Sequence, residues 1–193
     1  DSPEFRKSMV NYYAEITDLD TEFGLFDDVQ NRNNEYSNTI TIFTSEQGSG
    51  MPFAKYTTYD AGLKTAFMVR WPDKIKAGSV TDSMIQYVDV VPTLIEAAQG
   101  KVPNNIDGKS FISILKGLKE EHREYTYGVH TTRNVLEGND YPIRSVRSKN
   151  YKLVLNLMYE SEFSNLTTAK LKKEHGTLWE WQNLGEKGNL WAK

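Results

Sequence analysis

A helical period near the start of the chain is the strongest constraint on how it folds. Residues 3–32 place large apolar side chains three and four positions apart, which is the spacing of one helical face. The side chains at this spacing are Val10, Tyr13, Ile16, Leu19, Phe23 and Phe26. Pro3 is typical of a helix start, and the polar residues 31–34 predict its end. The β-branched run 39–43 then predicts a strand, so helix and strand together indicate half of a βαβ repeat.

Four further segments extend this pattern of helices and strands. Residues 66–71 form an apolar run stopped by a proline, which predicts a second strand. Residues 86–98 predict a helix with Pro92 near its first turn, where the missing N–H costs little. Residues 111–115 predict a short helix. Residues 124–157 contain alternating runs separated by Gly, Asn and Asp, which predict an antiparallel meander.

Between residues 105 and 120 the sequence pattern changes from helices and single strands to alternating runs. This change divides the predicted fold into two parts. We expect residues 1–110 to belong to an α/β domain and residues 111–193 to form a smaller α+β subdomain. The tail has helical composition and ends in a segment rich in tryptophan, which we interpret mainly as packing surface. The predicted fold class is therefore α/β, followed by a small antiparallel sheet.

Composition and charge exclude several classes of function. The net charge is −3 with dispersed Lys and Arg, which argues against duplex nucleic acid as a partner. No run approaches the roughly 18 apolar residues that a membrane span needs. Cysteine is absent, which excludes disulfides, a thiol nucleophile and cysteine-bound zinc. The 3 histidines do not have the spacing of a zinc motif, so any metal is expected to be oxygen-bound.

Acidic, amide and cationic side chains follow the first predicted strand. Glu46 and Gln47 come directly after it, and in open α/β sheets ligands gather at the carboxyl ends of strands. A glycine-containing turn then leads to Lys55. This layout suits a cation and an anion held side by side. A structural alternative stays open in each case. For Glu46 and Gln47 it is a charged strand end at a solvated turn, and for Lys55 it is an ordinary surface lysine.

Several short motifs occur in an order that resembles the type I sulfatases. The resemblance spans nearly all of residues 1–160, and its later blocks are similar to the heparan N-sulfatase branch in particular. The motif residues are 43–48, Lys55, 59–62, 69–72, 80–82, 87–94, 107–111, 141–147 and 151–157.

This resemblance implies part of an alkaline-phosphatase-like α/β/α sandwich, followed by a small C-terminal antiparallel sheet with a helix. It also implies hydrolysis by a formylglycine, made from the Cys or Ser of a C/S-x-P-x-R motif. That motif does not occur in this chain. We therefore expect the nucleophile and two metal carboxylates to precede Asp1, and this chain alone to be inactive and marginally stable or self-associating. The family suggests a periplasmic, secreted or lysosomal location.

The resemblance also assigns roles to individual residues. Glu46 and Gln47 match a pair that completes a Ca²⁺ site, although each is one methylene longer than the family's usual residue. Lys55 matches a cation placed against the sulfate, with a catalytic and a substrate-binding role. His130 and Arg133 match a segment that faces the substrate, where they would bind a sugar hydroxyl or an anion; a polar strand end is the alternative for His130. Tyr56, Tyr59 and residues 60–62 are interpreted as packing and loop geometry.

The leading hypothesis is thus the C-terminal portion of a calcium-dependent sulfatase that acts on sulfated carbohydrate, of the glycosaminoglycan type and with N-sulfoglucosamine among the candidates. One alternative is a phosphodiesterase or phosphonate hydrolase of the same superfamily, which would usually need a two-zinc site with several histidines. Another alternative is a non-catalytic module that binds sulfated sugar, which the absent nucleophile permits.

Overall fold

The computed structural model describes residues 3–51, 53–131, 140–161 and 163 of the chain. Its first element is helix α1, Pro3–Arg32, which is 30 residues long and confirms the predicted helix. Near its C-terminal end the ring of Phe23 packs edge-on against Phe43, with ring centroids 5.9 Å apart. Apolar contacts of this kind place the end of α1 on the first strand.

Two short strands follow and pair with each other. Strand β1 is Thr41–Thr44, helix α2 is Asp60–Leu63 and strand β2 is Phe67–Arg70. The helix–strand order indicated half of a βαβ repeat and did not specify how these two strands pair; β1 and β2 are antiparallel. The reason is the connection between them, which returns to the end of β1 that it left: the Ala66 carbonyl accepts the Ser45 N–H at 3.2 Å.

Arg70, the last residue of β2, ties α1 to this hairpin. Its guanidinium pairs with the Asp27 carboxylate at 2.6 Å. It also donates to the side-chain oxygen of buried Gln30 and, at 2.7 Å, to the Thr41 hydroxyl. The same group lies 3.9 Å from the centroid of the Tyr36 ring. A planar guanidinium can bind several acceptors and stack on a ring at once, so one side chain joins the helix, the following turn and both strands.

Two further helices follow, and apolar side chains line the space between them and the hairpin. Helix α3 is Val90–Ala97, preceded by the 3₁₀ turn Tyr87–Asp89, and helix α4 is Ile112–Leu115. Both agree with the helices predicted from the sequence, and Pro92 lies in the first turn of α3 as expected. A small apolar cavity between these elements is lined by Ile40, Ile42, Val69, Trp71, Val90, Leu94, Ala97, Phe111 and Leu115.

The fully buried carboxylate of Asp89 joins this 3₁₀ turn to two distant segments. It accepts backbone N–H groups from Gln86 at 2.9 Å and Lys109 at 2.8 Å, and both oxygens accept from the Arg123 guanidinium. The Nε2 atom of His122 lies 3.3 Å away. Burial opposes ionisation, but the Arg123 ion pair and the two backbone donors lower the pKa of Asp89 to about 2. The carboxylate is therefore ionised in the folded protein.

Two further contacts close the same region. The Thr93 hydroxyl donates to the Asp89 carbonyl at 2.6 Å and accepts the Phe111 N–H at 3.0 Å. Gly108 lies so close to Val88 that a Cβ at this glycine would overlap the Val88 carbonyl oxygen. These contacts give a structural reason for the joint occurrence of the two sequence motifs that contain Asp89 and Gly108.

The predicted antiparallel meander is confirmed as a three-stranded sheet in the order β3–β4–β5. Its strands are Thr126–His130, Ile143–Arg147 and Lys152–Asn156. Along β3 the side chains alternate in exposure: Gly128 is buried, whereas Val129 on the opposite face is exposed. One face of the sheet therefore packs on the rest of the protein.

Large apolar side chains are exposed on α1 and on the outer face of the meander. Examples are Val10, Leu25, Val129 and Leu153. Exposed apolar area of this kind favours association. Self-association of the isolated chain stays a prediction. Among the described residues, no helix combines the length and the hydrophobicity needed to cross a bilayer.

Replacing Asp89 should remove a large part of the stability of this protein. We expect Asp89→Ala to lower the free energy of unfolding by about 3–5 kcal/mol, since it leaves the largely buried Arg123 guanidinium without its partner. The folded pKa of about 2 lies below the ordinary value of 3.8, so the ionised carboxylate stabilises the fold fully above about pH 4. Urea unfolding followed by circular dichroism measures both effects.

The pH dependence separates this ion pair from simple packing. The difference in unfolding free energy between wild type and Asp89→Ala should shrink as the pH falls from about 4 towards 2. Asp82→Ala is the matched control, because Asp82 is exposed, and it should change stability by less than about 0.5 kcal/mol. An Asp89 variant as stable as wild type at pH 7 would contradict the assignment.

Candidate active site

The connection from β1 to α2 forms a compact loop, residues 45–63, which we call the site loop. Its position relative to the hairpin is fixed by the Tyr87 hydroxyl. This hydroxyl donates to the Ser45 carbonyl and lies 2.7 Å from the hydroxyl oxygens of both Thr44 and Thr65. One phenol from the turn before α3 therefore holds the chain at the points where it leaves and re-enters the hairpin.

Two glycines allow the site loop to fold onto itself. The Gly48 N–H donates to the Gly62 carbonyl at 3.1 Å. A Cβ at Gly48 would overlap the Ala61 carbonyl oxygen, and a Cβ at Gly62 would overlap the carbonyl oxygen of Ala54. Only residues without a side chain permit such close backbone approach. The two ends of the loop are thereby drawn together.

Glu46 and Gln47 lie just beyond the carboxyl end of β1, where the sequence predicts them. Glu46 is exposed and Gln47 is partly buried, and within the described residues neither side chain has a hydrogen bond or ion pair. No group of three or more Asp, Glu, His or Cys suited to a metal occurs in that part of the chain. The carboxylate and amide oxygens fit a hard cation in chemistry, but they supply only part of the roughly six to eight oxygens that Ca²⁺ takes.

Lys55 and His130, two of the predicted site residues, each lie near the same aromatic ring. The Lys55 ammonium lies 5.3 Å from the centroid of the Tyr56 ring. The His130 ring, at the end of β3, lies 6.1 Å from that ring at an interplanar angle of 38°. The backbone N–H of Lys55 donates to the Ser49 carbonyl at 2.9 Å, which fixes the backbone of the loop at this point. The fold therefore places two residues that are far apart in the sequence near one tyrosine ring.

His130 is half-buried at this junction. Its Nε2 atom is buried and has no hydrogen-bond partner among the residues that the structure describes. Burial lowers the pKa of His130 from its ordinary value of 6.5. The imidazole is therefore mainly neutral at pH 7 and can donate from one nitrogen and accept at the other.

The site loop is seated on the sheet at Gly128, which lies on the same face of β3 as His130. A Cβ at Gly128 would overlap the side chain of Leu63 and crowd the Ser145 hydroxyl. The Cβ of Thr58 lies 3.5 Å from that position, and Thr58 is almost fully buried. The absence of a side chain at Gly128 thus lets the loop approach the strand that carries His130.

Asp60, the first residue of α2, links the site loop to the other two strands of the meander. Its carboxylate pairs with Arg147 of β4 and, at 2.9 Å, with Lys152 of β5. The Lys152 hydrogen bond is the main cause that lowers the pKa of Asp60. The Arg147 ion pair therefore joins the site loop to β4. Its partner Asp60 was missed, because the pair spans 87 residues with no local signal.

The remaining predicted substrate-binding residue, Arg133, lies outside the described residues. The same holds for the tryptophan-rich end of the tail.

Comparison with known proteins identifies the class to which this fold and site belong. The sequence model of the family described as N-sulphoglucosamine sulphohydrolase, C-terminal, matches residues 48–181. An ulvan-active sulfatase of Formosa agariphila is 38% identical over 154 residues, covering 79% of this chain and 30% of that protein. Human N-sulphoglucosamine sulphohydrolase is 24% identical over 172 residues, covering 84% of this chain and 34% of that protein.

These matches define a chain of the sulfatase class. Within that class, it belongs to the N-sulphoglucosamine sulphohydrolase C-terminal family. A solved structure of a protein in complex with its substrate D-glucosamine-2-N,6-O-disulfate has a TM-score of 0.67 and 21% identity, covering 90% of this chain and 36% of that chain. At this identity the likeness shows the fold, and it confirms the predicted α/β class. The chain spans about a third of the length of these relatives.

Two glycines of the site loop give a direct test of its geometry. Gly48→Ala should destabilise the protein by roughly 1–3 kcal/mol and displace the loop, since the new Cβ meets backbone that cannot rotate away. Gly50→Ala is the matched control, because a Cβ at Gly50 has no atom within 4 Å. Thermal unfolding and a crystal structure of each variant measure the effect; equal stability of the two variants would contradict the loop geometry.

Proposed function

We propose that this chain is part of a sulfatase that hydrolyses sulfate ester or sulfamate groups on sulfated carbohydrate of the glycosaminoglycan type. The observation that carries the proposal is that Lys55, on the loop after β1, and His130, at the end of β3, both lie near the Tyr56 ring in a chain of this family. The relatives' names and the D-glucosamine-2-N,6-O-disulfate complex support a sulfated sugar as the substrate.

Lys55 is proposed as the cation that binds the sulfate group. An ammonium is a compact charge with several donors, and it stabilises negative charge that develops on the leaving oxygen or nitrogen in the transition state. Hydrolysis adds water across the S–O or S–N bond, releasing inorganic sulfate and the sugar alcohol or amine. Lys55 contributes electrostatic stabilisation to this step and takes no part in forming a covalent bond.

His130 and Arg133 are proposed as substrate-binding residues. The neutral His130 imidazole has the donor and acceptor that a sugar hydroxyl requires, and its buried Nε2 lacks a partner among the described residues. Arg133 follows His130 closely in the sequence and carries the planar guanidinium that binds sulfate or carboxylate groups in a two-pronged manner.

Glu46 and Gln47 are proposed to supply part of a Ca²⁺ site. Their oxygens suit this metal, and the remaining ligands would come from outside these two residues. When bound, the metal supplies positive charge for a sulfate oxygen. The formylglycine nucleophile is proposed to lie outside the 193 residues, because they contain neither cysteine nor a Ser-x-Pro-x-Arg motif. The chain alone should therefore not turn over aryl sulfates, and metal-dependent turnover by it would refute this arrangement.

The main experiment replaces Lys55 in the full-length protein. Lys55→Ala should lower kcat/KM for sulfated glucosamine by about 10²–10³-fold, since one preorganised electrostatic partner of the transition state is lost. Its thermal stability should stay close to that of wild type. Sulfate release measured by ion chromatography gives the rate.

Lys64→Ala provides the matched control for this experiment, because Lys64 is exposed at the end of α2 and should leave the rate unchanged. Unchanged kcat/KM in Lys55→Ala would remove Lys55 from the site. Tight binding of sulfated sugar without turnover by the full-length protein would point to a non-catalytic binding module. Preferential turnover of a phosphate diester would point to a phosphodiesterase.

Metal removal tests the role of Glu46. Extensive dialysis against a chelator should abolish sulfatase activity, and Ca²⁺ should restore it. Glu46→Ala should raise the Ca²⁺ concentration needed for half-maximal recovery by at least about tenfold, whereas the exposed Glu96→Ala should not change it. Identical recovery curves for Glu46→Ala and wild type would exclude Glu46 as a ligand.

A further inference from the structure

Tyr56 has an unusual backbone conformation for a bulky residue. Its φ angle is 64°, in the left-handed region that side chains with a Cβ rarely adopt. Residues in such conformations persist only where the surroundings hold them, and they concentrate at functional sites. The strained backbone of Tyr56 therefore indicates that its side chain has a functional role.

The side chain of Tyr56 contacts both proposed substrate-binding groups. Its ring lies 5.3 Å from the Lys55 ammonium and 6.1 Å from the His130 ring. The face of an aromatic ring attracts a cation, so the ring restricts the positions that the flexible lysine stem can take. Because burial keeps His130 mainly neutral at pH 7, the ring joins a cation to an uncharged imidazole without bringing two positive charges together.

A second residue of the site loop shows that the backbone conformation alone does not create this arrangement. Phe53 also has a positive φ, 62°, but its side chain is exposed. Within the part of the chain that the structure describes, the Phe53 ring makes no contact with another ring or a cation. The two residues thus share a strained backbone and differ in what the ring touches.

We propose that Tyr56 is a positioning residue, whose ring holds the Lys55 ammonium beside His130 so that both groups meet one sulfated sugar unit. This inference rests on the proposed function, because it assigns Tyr56 a part in the same site. Tyr56 acts through Lys55, not by direct contact with the reacting atoms. The ring of Tyr56, more than its hydroxyl, fixes the position of the Lys55 ammonium.

Ring-preserving and ring-deleting variants of the full-length protein test this proposal. Tyr56→Leu should lower kcat/KM for sulfated glucosamine by about tenfold, whereas Tyr56→Phe should stay within about twofold of wild type. Tyr56→Gly should lose activity as Tyr56→Leu does, while its midpoint of thermal unfolding stays equal or rises, because glycine accepts the positive φ. Phe53→Gly is the matched control: it relieves the same strain and should keep full activity.

A double-mutant cycle shows whether Tyr56 acts through Lys55. Tyr56→Leu should lower kcat/KM for sulfated glucosamine about tenfold in the wild-type background. In the Lys55→Ala background the same change should alter kcat/KM by less than about twofold. An undiminished effect there, or wild-type activity of Tyr56→Leu, would overturn the proposal.

The outcomes separate this inference from the proposed function. A loss in Lys55→Ala with none in Tyr56→Leu would overturn the role of Tyr56 and leave the sulfate site standing. No loss in Lys55→Ala would overturn the assignment of Lys55 and, with it, the positioning role that depends on Lys55.

Discussion

The buried ion pair between Asp89 and Arg123 is the interaction on which the rest of this structure depends. A carboxylate fully removed from water is tolerated only when its oxygens are bonded, and here Arg123 and two backbone N–H groups bind them. The partners come from segments 20 and 34 residues further along, so the pair fixes the path of the chain towards β3. Tyr87, in the same 3₁₀ turn, in turn holds the ends of the site loop.

The site loop gains its position from contacts on two sides. On the hairpin side it is closed by backbone approach at Gly48, which excludes any larger residue. On the sheet side it rests on Gly128, and Asp60 pairs with cations of β4 and β5. The Asp60 pairs are partly exposed and contribute modest stability, so the close packing at Gly128 is the stronger constraint. The positions of Lys55 and His130 near the Tyr56 ring follow from these contacts.

Local patterns in the sequence predicted most of the secondary structure. The period of α1, the alternation of the meander and the position of Pro92 each depend on residues close in sequence, and all three are confirmed. The pairing of β1 with β2 was not predicted, because strand direction depends on how the connection closes and not on the strands themselves. The division at residues 105–120 stays a prediction.

The sequence by itself determined the family and the types of side chain available: Glu46 and Gln47 after a strand, Lys55 on a glycine-containing loop, and His130 at a strand end. Only the tertiary structure decided which of them lie together. It placed both Lys55 and His130 near the ring of Tyr56, a residue that had been interpreted as packing. The physical reason is that proximity across many residues is set by close packing and buried ion pairs between segments, which leave no period or spacing in the sequence.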